Sequence, residues 1–417
     1  MKKILGLMLM LFISCFAFSS TNGGEHIKKV TAITEVFGNG QKLTAVAIEY
    51  DKAIKNSSLT NSSFTVEGRT VTKIYANDTL EKTSNGKNGK YVIIELSKDD
   101  KNSLLFVPVG RSFEKKEAKA TVIQLSDIKT TFFKTYKADS KAVVTSAVKN
   151  LVMDDFLSFE YKDSKTGKTL KYNLFIPKNY DSKKSYPLVY FGHDAGVMST
   201  DVKTTLYQGI GAIVWATPEA QAKNECFVLA PQYPEQYISD AATTDYLEMT
   251  VDLINSVANK YSINKNKIYA TGQSGGGMLS IAMAINHPDL FAAMFLVACQ
   301  WDSQKMADKL SDKNMWIVVS QGDIKAFPGM NASTEAMAKV GARIAKNEWS
   351  GRSTSEEIKK LADDMLTAKA NINYVSLIKG TVVGEGLDDN PPNNHMGTWP
   401  IAYTFEPIRD WLFTQSK

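Results

Sequence analysis

The chain has 417 residues, of which 43% are hydrophobic and 22% charged, and a formal net charge of +5. That length is long for one domain and comfortable for two, and the composition is that of a globular protein, not a disordered or fibrous one. Lys2 and Lys3 supply part of the charge; the rest is too weak and dispersed to argue for a nucleic-acid partner.

In chain order, Lys2-Lys3 and the apolar run Ile4 to Phe18 have the layout of a secretory signal over residues 1–19, cleaved after Ser19. Phe12-Ile-Ser-Cys15 also resembles a lipoprotein cleavage site with Cys15 to be lipidated, but Phe12 stands where leucine is usual. The favoured expectation is a secreted or periplasmic protein. The apolar run is short for a membrane span, and no later segment is long and apolar enough to cross a bilayer. Residues 25–126 alternate apolar and polar side chains in short runs: Val30 to Phe37, Leu43 to Tyr50, Phe64 to Tyr75, Tyr91 to Leu96 and Thr121 to Leu125. Turn-rich pieces such as Gly38-Asn-Gly40 separate them, which predicts a β-sandwich. Residues 127–145 are polar and rich in lysine and threonine, and are expected to be a linker.

From residue 146 the pattern changes to strands alternating with helices, the sign of an α/β domain with a largely parallel sheet. Eight strands are expected, at Phe156 to Tyr161, Tyr172 to Ile176, Leu188 to Gly192, Phe227 to Ala230, Lys267 to Ala270, Ala293 to Val297, Trp316 to Ser320 and Ile372 to Leu377. Helices fit at Asp245 to Lys260, Gly276 to Asn286, Ser333 to Lys346, Ser355 to Ala368 and Phe405 to Phe413. After the fifth strand comes Thr271-Gly-Gln-Ser-Gly-Gly-Gly-Met278, and then an apolar helix. Strand, Gly-x-Ser-x-Gly and helix together make a nucleophile elbow, with Ser274 at its apex. Gly272 and Gly276 leave room for the sharp turn. A phosphate-binding loop is the bland alternative, but no lysine follows in the required place. Eight strands with a serine after the fifth is the α/β-hydrolase layout.

A serine nucleophile needs a base, an acid that orients the base, and donors for the oxyanion. The chain has four histidines. His26 lies in the other domain, His287 ends the elbow helix, and His193 precedes the serine. His395, in Asn393-Asn-His-Met-Gly397, follows the last strand and satisfies the chain order of serine, acid, histidine. Asp323, directly after the seventh strand, is the expected acid. Asp302 is its rival, and Asp388 and Asp389 sit on the histidine's own loop, taken as Lys379 to Pro400. The turn Tyr190-Phe-Gly-His-Asp-Ala-Gly196 is where this layout puts an oxyanion donor. Backbone N–H groups of Asp194 or Ala195, with Gly275, are the candidates, and the Asp194 carboxylate is expected to turn away into its loop. His193 is expected to brace that turn, and His193, Trp301 and Trp399 are candidates to line the pocket. Cys226 and Cys299 are expected to be free buried thiols on separate strands. No metal-ligand spacing appears, and no cofactor is expected.

The runs HDAG at His193, CFVLAPQ at Cys226, TGQSGGGM at Thr271 and GDIKAFPGMN at Gly322 resemble a group of secreted bacterial α/β-hydrolases. These are described as predicted peptidases or esterases, and are related to polyhydroxybutyrate-depolymerase-like and feruloyl-esterase-like enzymes. Some members carry an N-terminal immunoglobulin-like domain, and the N-terminal part of this chain is similar in size and pattern. Residue by residue, the resemblance implies Ser274, Asp323 and His395 as the triad and the loop at His193 as the oxyanion loop. Many members have His-Gly where this chain has His193-Asp194. The expected function is a secreted serine carboxylesterase acting on a small or oligomeric ester. A serine peptidase for short peptides and a catalytically silent binding protein on the same scaffold are the alternatives. The N-terminal domain is expected to cap the site or to mediate a homo-oligomer.

Overall fold

A computed structural model describes residues 24–109, 112–240 and 242–417. The expected signal segment and Cys15 lie outside the described residues. In the N-terminal part, a five-stranded sheet has the order Ala147–Asn150, Ile27–Phe37, Gly40–Ile54, Gly89–Leu96, Val71–Asn77. A three-stranded sheet has the order Asp139–Val144, Thr121–Gln124, Phe64–Val66. The run from Phe64 to Tyr75, expected as one strand, is therefore two, in different sheets. Residues 127–145, expected as a linker, carry strand structure, and Asp139–Val144 pairs antiparallel with Thr121–Gln124. It opens with exposed aspartate, serine and lysine and only Val143 is buried, so its apolar residues do not alternate with the period of two that marks a strand.

The chain divides by its contacts into two compact units. Among the described residues, one holds 24–32 with Val46–Leu96 and Lys119–Ala147; the other holds Ile33–Ala45, Ser97–Ala118 and Val148–Lys417.

The second unit is built on one sheet. Its strands are β1 (Phe156–Lys162), β2 (Thr169–Phe175), β3 (Tyr186–Gly192), β4 (Phe227–Gln232), β5 (Ile263–Gln273), β6 (Ala293–Val297), β7 (Met315–Ser320), β8 (Ile344–Trp349) and β9 (Ile372–Leu377). Their order is β1-β2-β4-β3-β5-β6-β7-β9-β8. β2 runs antiparallel to β1 and β4, and the remaining pairs are parallel. Nine strands replace the expected eight. β8 reads IAKNEW, with Lys346 and Glu348 exposed at the edge of the sheet; it was masked by the helix expected through Lys346, which ends at Lys339. β4, β6 and β7 are buried along their whole length, as parallel strands covered on both faces must be.

The covering helices are α1 (Tyr246–Lys260), α2 (Gly275–Asn286), α3 (Ser303–Leu310), α4 (Ala326–Lys339), α5 (Ser355–Leu366), α6 (Pro391–Ala402) and α7 (Glu406–Thr414). Leu253 and Ile254 of α1, Leu279 and Met283 of α2, Met306 of α3 and Met330 of α4 belong to one core cluster. Ile358 and Met365 of α5 and Ile408 and Trp411 of α7 belong to the other. The segment carrying His395 is thus helical, where a loop was expected. Among the described residues no helix is long and apolar enough to cross a membrane. Cys226 and Cys299 are free and buried, and burial pushes the Cys226 thiol up to about 12.

Candidate active site

β5 ends in Gln273, and α2 starts at Gly275. Ser274 stands between them at φ +49° and ψ −119°, a left-handed conformation that a side chain makes costly. Close packing enforces it. A Cβ on Gly276 would lie 1.9 Å from the carbonyl oxygen of Gly192, and one on Gly272 would lie 2.4 Å from the carbonyl carbon of Gly276. The end of β3 and the first turn of α2 thus meet backbone to backbone. The Ser274 N–H donates to Val297 O on β6 (2.9 Å) and its carbonyl accepts from Met278 N (3.0 Å).

The turn after β7 presents Asp323, which is 3% exposed. Its Oδ1 accepts from the amides of Lys325 and Ala326, both at 3.0 Å. Its Oδ2 is 2.5 Å from His395 Nδ1, and His395 Nε2 is 3.0 Å from Ser274 Oγ. A carboxylate can only accept, so Nδ1 carries the proton and Nε2 is left to accept from the serine hydroxyl. Burial pushes the Asp323 carboxyl up, but the His395 hydrogen bond and charge and the two amides outweigh it and hold it below its usual value. The trio can take a proton from Ser274 and hold the resulting imidazolium against a negative partner.

α6 brings His395 into place. Asn390 caps it, accepting from Asn393 N at 2.9 Å, and Pro391 and Pro392 occupy its first positions, where proline costs no hydrogen bond. Trp399 lies one turn beyond His395, ring centroids 5.4 Å apart and edge to face.

The oxyanion candidates separate. Gly275 opens α2, so its N–H has no carbonyl one turn back to bond, and its missing Cβ would lie 3.2 Å from the Ala195 Cβ. Asp194 is buried; its carboxylate accepts from Gly196 N (2.8 Å) and Gln273 Nε2 (3.1 Å). Burial pushes that carboxyl up, and the bonds to Gln273, Gly196 and its own amide oppose the rise. The carboxylate therefore turns into the loop, as expected, and bonds to its own amide, which leaves Ala195 as the remaining candidate for a second donor.

His193 does not line a pocket. It is fully buried; its Nδ1 lies 2.7 Å from Asp194 O and its Nε2 accepts from Tyr233 N at 3.0 Å. Those partners fix the proton on Nδ1 and make the ring an internal brace, and burial lowers its pKa to about 4. Tyr237 donates from its hydroxyl to the His193 carbonyl. Trp301 packs, half-buried, against the core. Asp302 caps α3 by accepting from Lys305 N (2.9 Å), which removes it as the rival acid. Asp389 bonds Asn394. His26 pairs with Asp51 and His287 with Glu248. Three features escaped the sequence: the Gln273 link to Asp194, the side chain of Asn394, and Asp240, which joins Gln300 (3.0 Å) to Lys325 (2.7 Å) across the loops after β6 and β7. Gln273, Asp194 and Asn394 lie inside runs that the sequence singles out, but their partners are 79, 74 and 14 positions away, beyond the reach of a local pattern. In the same unit, the hairpin Phe106–Val109 with Ser112–Lys115 stacks Phe106 on Phe113 at 4.6 Å, and a Cβ on Gly196 would lie 4.0 Å from the Phe113 ring.

Comparisons with known proteins find esterases. Residues 29–137 match the family described as the esterase Ig-like N-terminal domain, and residues 164–357 match a family of putative esterases. The second stretch contains Ser274 and Asp323 and stops short of His395. A crystal structure of a thermostable esterase is 29% identical, with a TM-score of 0.80, over 94% of this chain and all of its own. The feruloyl esterase module of Clostridium thermocellum, complexed with sinapinate, is 16% identical with a TM-score of 0.41, over 61% of this chain and 88% of its own. A ferulic acid esterase of Anaeromyces mucronatus is 14% identical with a TM-score of 0.38, over 61% of this chain and 91% of its own. No curated protein matches the chain. The two family matches and the thermostable esterase together identify the chain as a carboxylic ester hydrolase with an α/β-hydrolase fold and an immunoglobulin-like N-terminal domain.

Proposed function

We propose that this esterase works through Ser274, His395 and Asp323 and an acyl-enzyme. The supporting observation is the continuous chain from Asp323 Oδ2 to His395 (2.5 Å) and from His395 to Ser274 Oγ (3.0 Å) at a strained elbow. Ser274 Oγ attacks the ester carbonyl as its proton passes to His395 Nε2. The oxyanion forms against the N–H groups of Gly275 and Ala195. The imidazolium returns the proton to the departing alkoxide, leaving the acyl group on Ser274. Water then attacks that carbonyl, its proton again taken by His395, and the carboxylic acid and free Ser274 hydroxyl are regenerated. The leader at Lys2 to Ser19 supports a secreted or periplasmic enzyme, and the approach of Phe113 to the turn at Gly196 supports a role for the hairpin in shaping the rim of the site.

The test is hydrolysis of p-nitrophenyl esters from acetate to decanoate by the mature protein beside Ser274→Ala. The variant is expected to lose about 10⁴- to 10⁶-fold in turnover, and the chain-length profile sizes the acyl site. A pure variant with near wild-type turnover refutes the mechanism. Activity confined to aminoacyl amides would replace the ester reading with a peptidase.

A further inference from the structure

Asn394 precedes His395 on α6 and is fully buried. The helix does not need it as a cap, since Asn390 serves there. Its side chain reaches out of the helix instead. Its Oδ1 accepts from the Ser320 hydroxyl (2.9 Å) and the Gly380 N–H (3.1 Å). Its Nδ2 donates to Asp389 Oδ1 (2.6 Å) and to the Asn390 carbonyl (3.0 Å). An amide has two donors and two acceptor sites, so this one is fully used. Ser320 ends β7, and its Oγ in turn accepts from Gly322 N at 3.2 Å, one residue before the acid. Gly380 follows β9, the neighbour of β7. The fit is also steric: a Cβ on Gly322 would lie 2.2 Å from Asn394 Cγ. One side chain therefore joins the histidine's helix, the acid's turn and the loop at Gly380 and Asp389.

We propose that Asn394 is a positioning residue, which fixes α6 against the end of β7 and so holds His395 in bonding distance of Asp323, with Asp389 and Gly380 tying the Lys379–Asn390 loop to the same lock. The inference rests on the triad reading above. A buried amide with four partners cannot shift without leaving polar groups unpaired, so any displacement of α6 against the end of β7 is opposed.

The experiment measures kcat and KM on p-nitrophenyl acetate and the far-downfield imidazole proton by NMR. The set is wild type, Ser274→Ala, Asn393→Ala, Asn394→Ala, Asn394→Asp and Asn394→Asp with Asp389→Asn. Loss of register at the scale of 1 Å predicts a kcat for Asn394→Ala lower by about 100-fold. KM should stay within about twofold and the downfield proton should move or vanish. Asn393→Ala should match wild type. Asn394→Asp sets two carboxylates against each other, and adding Asp389→Asn restores a donor and should recover at least about tenfold of the lost kcat. An active Ser274→Ala would sink the triad reading and this inference with it. An inactive Ser274→Ala beside an Asn394→Ala with unchanged kcat and downfield proton overturns the positioning role alone. If Asn394→Ala does not fold, the pair at 394 and 389 decides: recovery supports the lock, and no recovery overturns it.

Discussion

At Ser274 the chain is held by backbone pressed on backbone: Gly276 against Gly192, and Gly272 against Gly276, with no room for a Cβ. At His395 it is held by side-chain hydrogen bonds that reach across 72 positions to Asp323 and 74 to Ser320. Contact between glycines admits one geometry and tolerates no substitution. A hydrogen-bonded lock admits several, and can be loosened or re-made by exchanging donors. The serine end is therefore expected to fail by unfolding, and the histidine end by slow turnover in a folded protein.

The sharpest challenge to that contrast is Asp323→Asn. It should keep the fold by circular dichroism while kcat drops by about 10⁴-fold, because the amide stabilises the wrong tautomer of His395. Gly276→Ala is the counterpart at the serine end. Its Cβ meets an immobile carbonyl, so urea unfolding should show a loss of about 3 kcal/mol, the upper end of the usual cost of overpacking. An active, stable Gly276→Ala would break the comparison.

His193 supports the serine end from behind. Its pKa falls from 6.5 to about 4 on burial, so between those values the unfolded chain binds the proton and the folded chain does not. Stability should therefore fall as pH drops from 6.5 to about 4, by on the order of 2–3 kcal/mol, and this contribution does not change below that window. His193→Gln should flatten thermal midpoints across the same window. The smallest effect is expected at Asp302→Ala. Losing the α3 cap should cost about 1 kcal/mol, with turnover unchanged, which would separate this aspartate from the one that serves His395.

The same contrast explains what could be read from the chain. The serine turn is local: eight consecutive residues and the flanking apolar runs carry it, so the elbow, the central strands and the order of serine, acid and histidine were all legible. α6 was not, because it opens with two prolines, contains Gly397 and Pro400, and lacks an apolar stripe of helical spacing. Its start signal was Asn390-Pro391, a cap followed by proline at the first turn. β8 was hidden by its charged edge residues. Asn394 had no local signal, since the partners that tie its helix to the sheet, Ser320 and Gly380, come from the end of β7 and the turn after β9.

Ser274 itself sits at φ +49°, and strain of that kind costs roughly 1–3 kcal/mol for a residue with a side chain. Glycine would bear almost none of it. Ser274→Gly, which has nothing to attack with, is thus expected to outlast the working protein on heating. Selecting variants by heat resistance alone would breed the nucleophile out, so any search for a more durable form has to score turnover in the same round.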